Sequence, residues 1–68
     1  MKNSLDYWLD EISVIEIDNS VNEANKNGLT AIIGWFGVIN ESGIIAYFGK
    51  ENDAFRFRLD YINRKLNP

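Results

Sequence analysis

The sequence predicts a small α+β domain in which an antiparallel sheet of about three strands packs against a C-terminal helix. Residues 29–49 are rich in β-branched and aromatic side chains and contain one short polar turn, a pattern typical of a β-hairpin. Residues 51–66 repeat apolar side chains at the spacing of a helix. The length indicates a single domain over residues 1–68.

A short opening helix is predicted in the segment "NSLDYWLDEI", where Asn3 or Ser4 can cap the first turn. The apolar residues at helical spacing are Leu5, Leu9 and Ile12. The chain then changes to β-branched alternation, which predicts a strand. In that strand we expect Ile15 and Ile17 to face inward and Val14 to face outward.

The middle segment, "NSVNEANKNG", is polar and rich in asparagine. Ser20 and Glu23 have the spacing of a capping box, and Asn27 with Gly28 is a typical helix stop. One or two helical turns are therefore predicted over residues 20–27, and a plain loop between two strands is the alternative. The sequence leaves both open.

The hairpin is predicted as a strand over residues 29–40, a connection at 41–43 and a returning strand over 44–49. Both faces of these strands are apolar, whereas a sheet with one solvated face alternates apolar and polar side chains. The closing helix can cover one face. We expect the second face to be covered by the opening helix or by another copy of the chain, and the sequence therefore predicts a homodimer.

The closing helix is predicted from an apolar stripe at spacings of four, three and four residues, assigned to the core: Phe55, Leu59, Ile62 and Leu66. Glu51 and Asp53 lie in its first turn and Arg64 and Lys65 in its last, as the helix dipole favours. This is the best-defined element of the sequence.

The candidate contact residues lie on the same helix. Phe57 is about 160° from the middle of the predicted core stripe and is therefore expected to point away from the sheet, with Tyr61 one turn further on. Arg56 and Arg64 flank this aromatic pair. Exposed aromatic residues beside arginine are enriched in protein–protein interfaces. We expect these four residues, together with Trp35 on the hairpin, to bind a protein partner or a second copy.

Catalytic and cofactor chemistry have little support in the composition. The chain contains no cysteine and no histidine, which excludes disulfides, thiolate chemistry and the common ligands of zinc, haem and iron–sulfur clusters. The acids at positions 10, 11, 16 and 18 are more typical of a solvated surface than of an acid/base pair. We therefore expect no enzyme activity, no cofactor and no metal site.

The expected function is that of a non-catalytic protein–protein interaction module, a self-associating regulator or adaptor. No apolar run is long enough to span a membrane and no signal peptide is apparent, so we expect a cytoplasmic protein with no membrane partner.

Charge patterning supports an alternative function. The net charge is −3, and residues 1–25 carry six acidic side chains against Lys2 alone. Residues 54–68 carry four basic side chains against Asp60 alone. These regions can attract each other within the fold or across a dimer. Alternatively, the acidic face of a phage or mobile-element inhibitor could block a nucleic-acid enzyme.

A second alternative comes from the segment "GWFGVI", residues 34–39, which resembles the glycine-aromatic strand that contacts RNA in cold-shock and S1-type barrels. The resemblance implies single-stranded nucleic-acid binding through the aromatic hairpin. No basic residue lies between Lys26 and Lys50, however, and stacking without phosphate neutralisation gives little affinity. A nucleic-acid partner is therefore not expected.

Overall fold

The computed structural model describes residues 4–67, which form one antiparallel sheet and three helices. In chain order the elements are α1 (Leu5–Glu11), β1 (Ser13–Glu16), α2 (Asn19–Ala24), β2 (Phe36–Asn40), β3 (Gly43–Phe48) and α3 (Glu51–Leu66). The strands lie in the order β1-β2-β3, with both neighbouring pairs antiparallel. The predicted α+β class, the short N-terminal helix and the C-terminal helix over 51–66 are confirmed.

Two side-chain caps explain where the short helices begin. The Ser4 hydroxyl accepts a hydrogen bond of 3.2 Å from the Tyr7 amide at the start of α1. The Asp18 carboxylate accepts one of 3.0 Å from the Val21 amide at the start of α2. The middle segment is therefore helical in part, but Asp18 takes the capping position that the capping-box pattern had assigned to Ser20. The helix also ends at Ala24, before the predicted stop at Asn27 and Gly28.

The first hairpin strand is shorter than predicted, because β2 begins only at Phe36. Residues 29–35 lead into the sheet as an irregular segment. The side chain of Asn22 bonds both backbone groups of Ala31, accepting from its amide at 3.1 Å and donating to its carbonyl at 2.9 Å. The Asn22 side chain thus gives Ala31 the hydrogen bonds that a neighbouring strand would give. The prediction from β-branched composition alone therefore made the strand too long.

A bulge in the β2–β3 pair changes which residues share a face of the sheet. Val38 pairs with Ala46 but Ile39 pairs with Ile44, so Ile45 is the extra residue of β3. Ile45 and Phe48 consequently pack on one side of the sheet, while Ile44 and Tyr47 pack on the other. A regular strand would place Ile44 and Phe48 on one face, and the bulge separates them.

The core consists of two clusters, one on each face of the sheet. The first lies beneath α1 and α3 and contains four buried residues: Ile12, Val38, Ala54 and Ile62. The second lies beneath the middle segment and contains Ile17, Ala31 and Ile44, with Val21 packed against it. Both faces are thus covered by the same chain.

This two-sided packing corrects two predictions. The middle segment packs against the second cluster, whereas the opening helix packs against the first and therefore does not cover the second face. The predicted homodimer stays a prediction. Val14 packs against the first cluster, so the prediction that it faces outward is wrong. The apolar character of both faces, which had suggested a dimer, is explained within one chain by the packing of a layer on each side.

Candidate interaction surface

Helix α3 turns a different face toward the sheet from the one predicted. Ala54 and Ile62 are buried, and Phe57 and Tyr61 pack against the first cluster. The rings of Phe57 and Phe48 lie 5.5 Å apart, and those of Phe57 and Tyr61 lie 6.1 Å apart in a stacked arrangement. The prediction that Phe57 points away from the sheet is therefore wrong, and its use as a contact residue loses its geometric basis.

The apolar residues that α3 leaves exposed are Phe55 and Leu59, at 45% and 64% of full exposure. Both had been assigned to the core. Leu5 of α1, 50% exposed, lies on the same groove as Leu59. We call Leu5, Phe55 and Leu59 the α3 surface. Each of these three large apolar side chains is about half exposed. Such a group of exposed apolar side chains is typical of protein contact sites.

The groove between α1 and α3 has a volume of about 480 Å³. Its apolar lining is formed by Leu5, Leu59, Ile62 and Leu66. The polar residues on its lining are Arg56, Asp60 and Asn63. An open groove with apolar walls and polar side chains accepts an apolar side chain of a partner and hydrogen bonds at its margin.

The charges of α3 are separated along its axis. Glu51 and Asp53 occupy the first turn, and Arg64 and Lys65 occupy the last, as predicted. Nη2 of Arg64 lies 3.1 Å from Oδ2 of Asp60, and both side chains are exposed. This is the one ion pair within residues 4–67, so Arg56 on the groove has no carboxylate partner in that part of the chain. The helix therefore presents complementary charges at its two ends.

The remaining arginine of the helix has an internal role. Arg58 Nε and Nη2 donate hydrogen bonds of 2.7 Å to the carbonyl oxygens of Ile12 and Leu9. These carbonyls lie at the C-terminal end of α1, where backbone acceptors lack partners within the helix. Within residues 4–67 no ion pair joins the acidic N-terminal region to the basic C-terminal region, and Arg58 contacts backbone carbonyls instead.

Trp35 lies in the other layer of the molecule. Its ring centroid is 5.7 Å from that of Tyr47, and it is 37% exposed. Exposed apolar residues accompany it in the irregular segment: Leu29, Ile32 and Ile33. The structure therefore does not bring Trp35 together with Arg56 and Arg64, and the five predicted contact residues do not form one surface.

Two grooves among residues 4–67 each have a single carboxylate in their lining. The α1–α3 groove contains Asp60 as its one carboxylate. A smaller groove of about 310 Å³ between α2 and the hairpin contains Glu41 as its one carboxylate.

The sequence did not predict that Phe55 and Leu59 are exposed, because two apolar stripes compete on α3. One stripe contains Phe55, Leu59, Ile62 and Leu66, and the other contains Ala54, Phe57, Tyr61 and Ile62. Ala54, at the start of the second stripe, was a signal that this stripe faces the sheet. A helix packs closest to a sheet where its side chains are small. Arg58, which the first stripe excluded, lies on the packed side through its bonds to α1.

The comparisons with known proteins identify no relative of this chain. The chain was compared with protein-family models, curated proteins and solved structures, and none of them matches. Across residues 4–67, no helix combines the length and the apolar character that crossing a membrane requires.

Proposed function

We propose that the protein is a non-catalytic protein–protein interaction module that self-associates through the α3 surface. The observation that supports this proposal is the exposure of Leu5 and Leu59 on one groove, together with the exposed Phe55 one helical turn before Leu59. Burying a fully exposed leucine or phenylalanine side chain contributes about 1.5–3 kcal/mol, so partial burial of these three in both copies gives a substantial driving force. A regulator or adaptor that assembles by this contact needs no catalytic group.

The charges of α3 favour an antiparallel pairing of two copies. A two-fold axis perpendicular to α3 brings the same surface of both chains together with the two helices running in opposite directions. The acidic first turn of one α3 then lies near the basic last turn of the other, and the helix dipoles are also opposed. Parallel pairing would place like charges together at both ends.

Sedimentation equilibrium of a Leu59→Asp variant tests this proposal. Leu59 is 64% exposed, so the substitution should leave folding intact while placing a carboxylate in the proposed contact. We expect the wild-type chain to dimerise at micromolar concentration and the variant to remain monomeric. Ile33→Asp is the matched control, because Ile33 is 52% exposed but does not line the groove.

Two results would contradict self-association through the α3 surface. One is a wild-type chain that sediments as a 7.8 kDa species up to millimolar concentration. The other is a dimer that Ile33→Asp dissociates as effectively as Leu59→Asp, which would move the contact to the irregular segment.

A second candidate function, an inhibitor with an acidic docking face, is supported by exposed carboxylates without ion-pair partners in residues 4–67. These are Asp6, Asp10, Glu16, Asp18 and Glu23. Such a face should bind an arginine-rich peptide with an affinity that falls steeply as salt is added, because exposed charges are screened within about 10 Å at 0.1 M salt. Fluorescence anisotropy with Asp10→Asn and Glu16→Gln variants measures this binding. Association through the α3 surface should depend weakly on salt, which separates the two proposals.

A further inference from the structure

The middle segment is fastened to the outer edge of β3 by two asparagine side chains. Asn25 Oδ1 accepts a hydrogen bond of 2.8 Å from the Ile44 amide, and Asn27 Nδ2 donates one of 3.1 Å to the Ile44 carbonyl. The Lys26 amide also donates to the Ser42 carbonyl at 2.8 Å. Since β3 is an edge strand, these bonds cover backbone groups that would otherwise be open to another chain. We call the two bonds to Ile44 the asparagine latch.

One residue of the latch lies in a chemically labile dipeptide. The sequence contains nine asparagines, and Asn27 is the one followed by glycine. Without a Cβ at the following residue, the next backbone nitrogen can approach the asparagine Cγ with little steric hindrance. This makes Asn–Gly the dipeptide most open to cyclisation.

The surroundings of Gly28 favour that attack. Gly28 is exposed and has a φ of 79°, and no atom lies within 4 Å of the position that a Cβ would occupy. In residues 4–67 no acceptor takes a hydrogen bond from the Gly28 amide. Gly28 therefore has open space on its side-chain side, and within residues 4–67 no hydrogen bond holds the nitrogen that would act as nucleophile.

We propose that Asn27 is a site of spontaneous deamidation that opens the asparagine latch. The Gly28 nitrogen loses its proton and attacks Asn27 Cγ, so that a new N–C bond forms. The Cγ–Nδ2 bond then breaks and ammonia leaves, which gives a cyclic imide. Water adds to either imide carbonyl and yields aspartate or isoaspartate at position 27. The net reaction consumes one water and releases one ammonia, with no oxidation or reduction.

The product cannot hold the latch. A carboxylate at position 27 has no N–H to donate, so it would place an acceptor oxygen against the Ile44 carbonyl that Asn27 Nδ2 now contacts. Isoaspartate adds a backbone methylene and shifts the side chain as well. The middle segment would then loosen from β3 and the edge at Ile44 would open to solvent or to another strand.

The conversion itself is tested by incubating the full 68-residue chain at mildly alkaline pH and mapping its peptides by mass spectrometry. We expect position 27 to gain the mass that marks replacement of NH₂ by OH, with isoaspartate present, before any other asparagine reacts. Asn27→Gln should abolish this signal, since glutamine cyclises far more slowly. Conversion at position 27 that is no faster than at Asn22 or Asn25 would overturn the proposal.

The effect on the latch is tested by amide hydrogen exchange in an Asn27→Asp variant. We expect the Ile44 amide to exchange about tenfold faster than in the wild type, because loss of the part-buried Asn27 bond to the Ile44 carbonyl weakens the hold of the middle segment on this residue. Asn40→Asp is the matched control: it adds the same charge, but Asn40 uses Oδ1 to accept from the Ser42 amide, which a carboxylate also does. Equal exchange at Ile44 in the two variants would show that no latch opens, and would overturn the proposal even if position 27 deamidates.

Discussion

Gly43 and Asn25 approach each other so closely that only glycine fits at position 43. A Cβ atom on Gly43 would lie 2.9 Å from the Cα of Asn25, and the φ of Gly43 is 126°. This approach lets Asn25 reach the Ile44 amide beside it. The absence of one side chain at the start of β3 thus permits the middle segment to pack against the hairpin.

Gly43→Ala should lower the free energy of unfolding by about 3 kcal/mol or more, because it combines an unfavourable φ with a backbone clash. Gly34→Ala is the matched control: its φ is 89°, but no atom lies within 4 Å of its Cβ position. The control should cost only about 1–2 kcal/mol, the conformational term alone. Urea denaturation measures both, and equal losses would contradict the close approach.

Phe57→Ala should destabilise the fold by about 3–5 kcal/mol, the usual range for removing a packed phenylalanine. Phe55→Ala, two residues away on the same helix and 45% exposed, should change stability by only about 0.5–1 kcal/mol. Thermal denaturation of the two variants compares them directly. If Phe55→Ala is the more destabilising change, the helix packs with the face that the sequence had indicated.

Arg58→Met should cost about 1.5–3 kcal/mol, because it keeps an apolar stem but removes the charged donors to the Ile12 and Leu9 carbonyls. Arg56→Met removes an equal charge from an exposed position on the same helix and should stay within about 0.5 kcal/mol of the wild type. Denaturant midpoints at one ionic strength separate the two. Similar midpoints would mean that Arg58 contributes only its charge.

Asn22→Asp should lower stability by about 1–3 kcal/mol, since a carboxylate cannot donate to the Ala31 carbonyl and leaves it without that partner. Asn52→Asp introduces the same change in the exposed first turn of α3, where the helix dipole favours a negative charge. That control should be neutral or slightly stabilising. Circular dichroism during heating checks both, and a neutral Asn22→Asp would mean that the Ala31 pairing contributes little.

The elements predicted best are those whose signals are local. Helix α3 begins at Glu51 and ends at Leu66 as predicted, because its periodicity and its terminal charges lie within the segment itself. Its orientation was not predictable in the same way. Phe55 and Phe57 offer two nearly equivalent apolar faces, and the choice between them depends on the sheet and on α1, which the helix sequence does not encode.

The middle segment shows a second limit of sequence patterns. Its sequence predicted one or two helical turns or a plain loop, and did not indicate that Asn22 and Asn25 bond the backbone of Ala31 and Ile44 and so hold a layer over the sheet. Hydrophobic periodicity does not detect packing that depends on side-chain amides. The bulge at Ile45 was hidden for a related reason, since an extra residue in a strand shows only when its partner strand is known.

The two-layer arrangement places one tryptophan, an intrinsic fluorophore, on each side of the sheet. Trp8 packs against the cluster beneath α3, with the Lys65 ammonium 5.9 Å from its ring, whereas Trp35 rests on Tyr47 in the opposite layer. Replacing either indole by phenylalanine would leave a single emitter that follows one layer alone. If the fluorescence of Trp35 changes at lower denaturant than that of Trp8, the middle segment detaches before α1 and α3 do. The chain then unfolds through an intermediate in which one face of the sheet is uncovered.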